Sequence, residues 1–149
     1  MRAVVQRTRS SKVLVNEQVV GQAGPGLTVL LGIKRGDQPK DAEYMIDKII
    51  NLRIFEDEQG KMNRSLLDCN GEILLVSQFT LYGDTRRGRR PGFSDAELPE
   101  RAQPLFEYCC QLIRNKGINV ATGLFGEHMV VTMENDGPCT IIIDSERIF

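Results

Sequence analysis

The sequence predicts an α+β fold, a single domain spanning residues 1–149 with an antiparallel-rich, barrel-like β core and two main helices. Three observations lead there. Valine- and isoleucine-rich runs recur along the whole chain, each bounded by glycine, proline or asparagine. Two segments switch to helical periodicity. No internal repeat, linker or low-complexity stretch divides the chain.

The length allows one core that buries about 68–70% of the unfolded surface. Hydrophobic content of 41% and charged content of 26% are those of a globular protein in water. No apolar run approaches the roughly 20 residues a bilayer span requires, and the opening residues do not form a signal peptide, so a cytoplasmic protein without membrane contact is expected. The cysteines, Cys69, Cys109, Cys110 and Cys139, match no zinc spacing, and His128 is the only histidine. Neither a metal site nor a disulfide framework is expected. The net charge of −1 and pI of about 5.9 carry no global nucleic-acid signature, so RNA contact requires a local patch.

Residues 2–15 read as one long strand or a pair broken near Ser10-Ser11, with Glu17 to Val20 returning after a tight connection at Asn16. Residues 21–26 read as a loop. Its glycines lack the following Lys-Ser/Thr of a phosphate-binding loop. Residues 27–33 are continuously apolar, as in a strand buried on both faces. Asp37 is a candidate cap for a helix opening at Pro39, whose stripe is Ala42, Met45, Ile46, Ile49 and Ile50. A hairpin follows, with Leu52 to Phe55 as its first strand and residues 56–61 as its turn, and Asn70-Gly71 makes a second turn.

Residues 72–81 form the strongest strand pattern. Its alternation puts Ser77 and Phe79 on one face, Gln78 and Thr80 on the other, either as a site rim or as a strand emerging into solvent. Residues 82–91 read as an exposed loop carrying Arg86-Arg87-Gly88-Arg89-Arg90, either solvated or a phosphate clamp. A helix opening between Pro99 and Pro104 and ending near Lys116 shows the apolar face Leu105, Tyr108, Cys109, Leu112, Ile113. If Pro99 opens it, Pro104 should kink it. Residues 118–122 form a strand and residues 123–128 a loop. Two last strands, 129–133 and 141–143, flank Asn135-Asp136-Gly137-Pro138-Cys139-Thr140. That stretch is either a β-turn or an element that presents backbone carbonyls for recognition.

Side-chain catalysis has little to work with. A triad requires His128 as base, and a Cys139–His128 pair is the other nucleophilic option. Ser77 and Thr80 have no activating neighbour in sequence, and no carboxylate pair is recognisable.

Ser77-Gln78-Phe79-Thr80-Leu81 and Asn135-Asp136-Gly137-Pro138-Cys139-Thr140 resemble the two signature motifs of D-aminoacyl-tRNA deacylases, S-Q-F-T-L and N-x-G-P-x-T. The Met-Arg-Ala-Val-Val-Gln-Arg opening and the Arg-Arg-Gly-Arg-Arg-Pro-Gly-Phe loop extend the likeness along the chain. Cys139 stands where the family often carries valine. The resemblance implies a homodimer that hydrolyses D-aminoacyl-tRNA, and glycyl-tRNA mischarged on a non-cognate tRNA, while rejecting L-aminoacyl-tRNA. It assigns Ser77, Gln78, Phe79 and Thr80 to the catalytic pocket. Gly137 and Pro138, with Asn135 and Thr140 of the same motif, are assigned to substrate binding, through a Gly-cis-Pro element inserted from the other subunit. Arg86 and Arg87 become tRNA contacts. No cofactor, metal or DNA partner is implied. Either Thr80 or the terminal ribose 2′-hydroxyl carries the chemistry, and the missing base favours the hydroxyl. Two competing readings are a non-catalytic RNA-binding module built on the Arg86–Arg90 loop and a small esterase using Ser77 or Cys139.

Overall fold

The first strand pairs with three of the other seven. In the computed structural model, which describes residues 1–149, β1 (Arg2–Val15) pairs antiparallel with β2 (Gln18–Ala23), β3 (Gly26–Gly32) and β8 (Val130–Asp144). The β1–β2 reversal turns at Asn16 and Glu17, both at positive φ. Beyond β3 the sheet becomes parallel, through β6 (Glu72–Ser77) and then β7 (Val120–Thr122), in the order β2-β1-β3-β6-β7. The two ends of that order meet: a Cβ built on Gly21 of β2 would lie 2.1 Å from the Thr122 carbonyl oxygen of β7. The result is a nearly closed, barrel-like mixed sheet. A two-stranded hairpin, β4 (Phe55–Glu56) and β5 (Met62–Arg64), stands apart.

The strand β1 contributes to two cores because its pleat slips. Ala3 and Val5 belong to the main cluster of 24 buried residues, shared with the helices. Val13 belongs to a smaller cluster with Ala23, Leu74 and Val76 on the other side of the sheet. Between them Arg7 and Thr8 are both buried and Arg9 and Ser10 both exposed, and the register against β8 shifts twice. One extra residue in a strand inverts every later side chain. The expected break near Ser10-Ser11 is therefore a bulge within one strand.

The main helices cover one face of the sheet. Helix α1 (Pro39–Asn51) buries the stripe read from sequence, Ala42, Met45, Ile46, Ile49 and Ile50. Its cap is Gln38 and not Asp37: Asp41 Oδ2 accepts the Gln38 amide at 2.8 Å, while Asp37 accepts the Lys34 amide at 2.7 Å. A short helix α2 (Leu66–Cys69), absent from the expectation, is held by a reciprocal Ser65–Asp68 capping box. Helix α3 (Pro99–Asn115) opens on Pro99 and runs through Pro104. Its buried face is Ala102, Phe106, Cys109, Cys110 and Ile113, rotated from the expected stripe. Leu105, Tyr108 and Leu112 lie on the flank. Gly117, at φ +76°, follows its end.

Four further expectations are corrected. The loop expected at residues 21–26 shrinks to Gly24 and Pro25. The strand expected to reach Leu81 ends at Ser77, and Phe79–Tyr82 form a 3₁₀ turn, so the alternation of residues 77–80 does not hold. Tyr82 is buried, not part of an exposed loop, with the Arg2 guanidinium 4.8 Å from its ring centroid. The two closing strands are one strand, β8, continuous past Gly137-Pro138.

Leu75 is fully buried in the main core, whereas Leu67 is 36% exposed. Leu75→Ala is expected to lower unfolding free energy by about 2–5 kcal/mol through lost transfer energy and a cavity. Leu67→Ala should change it by no more than about 1 kcal/mol. Denaturant titration of both variants checks the contrast.

Candidate active site

Parallel pairing with β3 delivers Ser77 to its place. Ser77 lies opposite Leu31, and the Gln78 amide donates to the Leu31 carbonyl at 2.8 Å. The chain then leaves the sheet. Gln78 takes φ −145°, ψ 81°, and the 3₁₀ turn closes with Leu81 donating to the Gln78 carbonyl at 3.3 Å and Gly83 to the Thr80 carbonyl at 2.9 Å. The opening amides, those of Phe79 and Thr80, donate to no acceptor within the chain, as at the start of any helical turn. Two adjacent backbone donors thus sit at the site, where a carbonyl oxygen gaining negative charge can use them.

The Thr80 hydroxyl accepts a hydrogen bond from Gln78 Nε2. A carboxamide N–H is a donor with no capacity to take a proton, so this contact does not activate Thr80. Ser77 and Gln78 are half-buried, while Phe79 and Thr80 are exposed. The Phe79 ring stands edge-on to Phe93, with centroids 5.1 Å apart.

Ser77, Gln78 and Phe79 line a cleft of about 570 Å³. Its apolar wall includes Leu31, Ile33, Val76, Ala102, Phe125 and Met129, and Arg35, Glu97, Glu127 and His128 lie on its polar side. His128 makes no hydrogen bond to Ser77 or Thr80, and Cys139 is outside this cleft, so neither a triad nor a Cys–His pair is assembled. Burial pushes the Cys109 thiol up to about 12 and raises Cys110 too, which keeps both thiols protonated and unreactive. No group of His, Cys, Asp and Glu side chains is arranged to hold a metal ion.

The second motif forms a wide bulge in β8. Thr140 pairs with Gln6 and Asn135 with Thr8, so residues 136–139 all lie opposite Arg7. The Gly137-Pro138 peptide is cis. Asn135, Gly137, Pro138 and Thr140 are exposed, while Cys139 points inward and joins the main core. Three contacts brace the bulge. Arg7 Nε donates to the Asp136 carbonyl at 3.0 Å, the Asn135 side chain donates to Gln6 Oε1 at 3.2 Å, and Asn135 Oδ1 accepts the Cys139 amide at 3.4 Å. Arg7, a residue the sequence reading missed, also donates to the Ile54 carbonyl at 2.5 Å and is itself buried. A signal for it exists: it continues the inward series Ala3, Val5, so an arginine falls where alternation demands an apolar residue.

The structure brings the first-motif residues together but does not bring the two motifs together within one chain. Neither Gly137 nor Pro138 lines the Ser77–Phe79 cleft. Along β1 the two places are four residues apart, and across the sheet they lie on β8 and β6, a separation of roughly 20 Å along the sheet. Arg86 and Arg87 lie on an exposed loop beyond Phe79, and Arg86 is already paired with Asp84 at 2.7 Å.

The family model described as D-Tyr-tRNA(Tyr) deacylase matches residues 4–144. A D-aminoacyl-tRNA deacylase of Syntrophomonas wolfei is 61% identical over the full length of both chains, and one of Thermosipho melanesiensis is 56% identical over the full length of both. A solved structure described as a c-Myc DNA unwinding element binding protein superposes with a TM-score of 0.91 at 40% identity, over 97% of this chain and 98% of that one. A probable eukaryotic D-amino acid tRNA deacylase shares the fold, with a TM-score of 0.82 at 21% identity over 95% and 97% of the two chains. With a family match across nearly all of its residues and full-length relatives this similar, the chain belongs to the D-Tyr-tRNA(Tyr) deacylase family.

Proposed function

We propose that this protein hydrolyses the ester bond of D-aminoacyl-tRNA, releasing free D-amino acid and tRNA in the cytoplasm. The observation that carries the reading is the pair of backbone amides of the exposed residues Phe79 and Thr80, which meet no acceptor in the chain and follow directly on the Ser77–Phe79 lining of an apolar cleft, in a chain whose full-length relatives bear that activity in their names. The amides bind the ester carbonyl oxygen as charge develops on it; one such donor typically supplies about 2.7–4 kcal/mol to the transition state. No base faces Thr80, so the attacking water takes assistance from the terminal ribose 2′-hydroxyl.

Chirality is read by main chain. The carbonyls of Gly137 and Pro138, both exposed residues, accept hydrogen bonds from the substrate α-amino group and form a wall that leaves room for hydrogen but not for an L side chain. Glycine, having no side chain to collide, passes, so glycyl-tRNA is also a substrate. A separation of roughly 20 Å along the sheet prevents a chain from supplying this wall to its own cleft. It comes from a second copy, and the active unit is a homodimer.

Incubating purified protein with matched D- and L-aminoacyl-tRNA tests the activity: D substrate should be released and L substrate retained. Binding without turnover would instead favour an RNA-binding module, and turnover of simple esters an esterase. Thr80→Ala should keep deacylation within about tenfold of wild type, since the threonine forms no covalent intermediate. Loss of all activity in a folded variant, or a trapped acyl-threonine, would overturn the 2′-hydroxyl assignment.

Gly137 has φ +133°, and a Cβ there would lie 2.9 Å from Arg7 Nη2 and 3.0 Å from the Cys139 nitrogen. Gly137→Ala should therefore displace the wall, and an error of about 1 Å in a reacting pose costs on the order of 10²-fold in rate. Steady-state kinetics on D-aminoacyl-tRNA read that loss. If the wall crosses subunits, activity per chain should fall on dilution in step with the monomer fraction seen by sedimentation. Constant activity in the monomer would exclude it.

A further inference from the structure

Four arginines in Arg86-Arg87-Gly88-Arg89-Arg90 look equivalent in sequence, and the fold separates them. Asp84 and Gly92 exchange two backbone hydrogen bonds, 2.7 and 2.9 Å, closing residues 85–91 into a stapled loop. The Asp84 side chain then turns into that loop. Its Oδ1 accepts from the Arg86 amide at 2.9 Å and from Arg86 Nε at 2.8 Å, and its Oδ2 accepts from Arg86 Nη2 at 2.7 Å. This is the two-pronged geometry with which a guanidinium would otherwise grip a phosphate. Arg87, Arg89 and Arg90 are exposed and form no ion pair with any carboxylate of the chain. The loop leads straight to the cleft, since Phe93, next after Gly92, lines it and packs edge-on against Phe79.

We propose that Arg87, Arg89 and Arg90 form a pre-shaped edge that binds the phosphate backbone of the RNA substrate beside its aminoacylated end, while Arg86 braces the loop from within and is not a phosphate ligand. The proposal rests on the deacylase reading above. A phosphate approaching Arg86 must displace a carboxylate that already uses its fork, and it would then lie against the negative charge of Asp84. Arg86 holds that carboxyl well ionised, with its pKa lowered to about 2. The other three guanidiniums carry no such internal competitor. Their field is uncompensated within the loop, which is what attracts a polyanion at a distance comparable with the Debye length.

Binding of tRNA to the full-length protein, measured across a salt series, separates the roles. Each of Arg87→Ala, Arg89→Ala and Arg90→Ala should flatten the slope of log affinity against log salt by about 0.7–0.9, the value for one phosphate contact. Each should also raise KM for D-aminoacyl-tRNA by a larger factor than KM for D-aminoacyl-adenosine, which lacks those phosphates. Arg86→Ala should flatten the slope by less than half as much. Asp84→Asn, which releases Arg86, should steepen the slope. A full share of the slope carried by Arg86, or no change on losing Arg87, Arg89 and Arg90 together, would overturn the assignment. Chiral hydrolysis by the wild-type enzyme that persists alongside either result sinks only the division of labour in the loop. Absence of chiral hydrolysis sinks the deacylase reading with it.

Discussion

The guanidinium of Arg7 ties together three distant parts of the chain. It sits in the middle of β1, bonds the Ile54 carbonyl in the segment after α1, and bonds the Asp136 carbonyl in the β8 bulge. A charge in such a place costs several kcal/mol to desolvate, and hydrogen bonds must offset that cost. The acceptors it uses are main-chain carbonyls that have left regular pairing: residues 136–139 have lost their ladder partners opposite Arg7. One buried cation thereby satisfies irregular backbone that would otherwise be poorly accommodated, and it fixes where Gly137 and Pro138 protrude. The Asp136 carboxylate reaches the same cation at 3.8 Å and Arg9 at 3.6 Å, longer contacts that add neutralising charge.

The site on β6 is built by the opposite means. There regular structure is used up to the last residue: β3 and β6 remain paired to Leu31 and Ser77, and only then does the chain turn away. The main-chain donors at Phe79 and Thr80 are available because a new turn starts where a strand has just stopped. Neither the Ser77–Thr80 turn nor the Gly137-Pro138 step carries an ionisable side chain, and Arg7 only braces the second from a buried position. This explains how a chain with one histidine, no metal-ligating cluster and two inert core thiols can belong to a family of hydrolases.

The parts legible in the sequence are those in which local pattern and tertiary burial agree. The α1 stripe is an example: Ala42, Met45, Ile46, Ile49 and Ile50 follow from spacing and are all buried. The resemblance identifies the motif residues and implies that they meet across subunits, whereas composition and periodicity alone carry no information on their spatial relation. The 3₁₀ turn is hidden in the sequence because phenylalanine, threonine and tyrosine are strand formers that continue a strong strand pattern; tertiary context overrides propensity. Helix α2 was legible in principle, since Ser65 and Asp68 have capping-box spacing, but four residues carry no periodicity to support it. The α3 face was misjudged by one step around the helix, where Phe106 and Cys110 turned inward in place of Leu105 and Leu112.

The antiparallel ladder between β1 and β8 has a temporal side. It joins residues 2–14 to residues 130–144, so the earliest strand to leave the ribosome lacks its longest partner until the last has been made. At ordinary elongation rates that interval is on the order of 10 s. Throughout it the nascent chain holds an incomplete sheet with an open hydrogen-bonding edge, the kind of surface on which holdase chaperones act. Such distant pairing also places the domain among slow folders, because loop closure precedes the contacts that reward it.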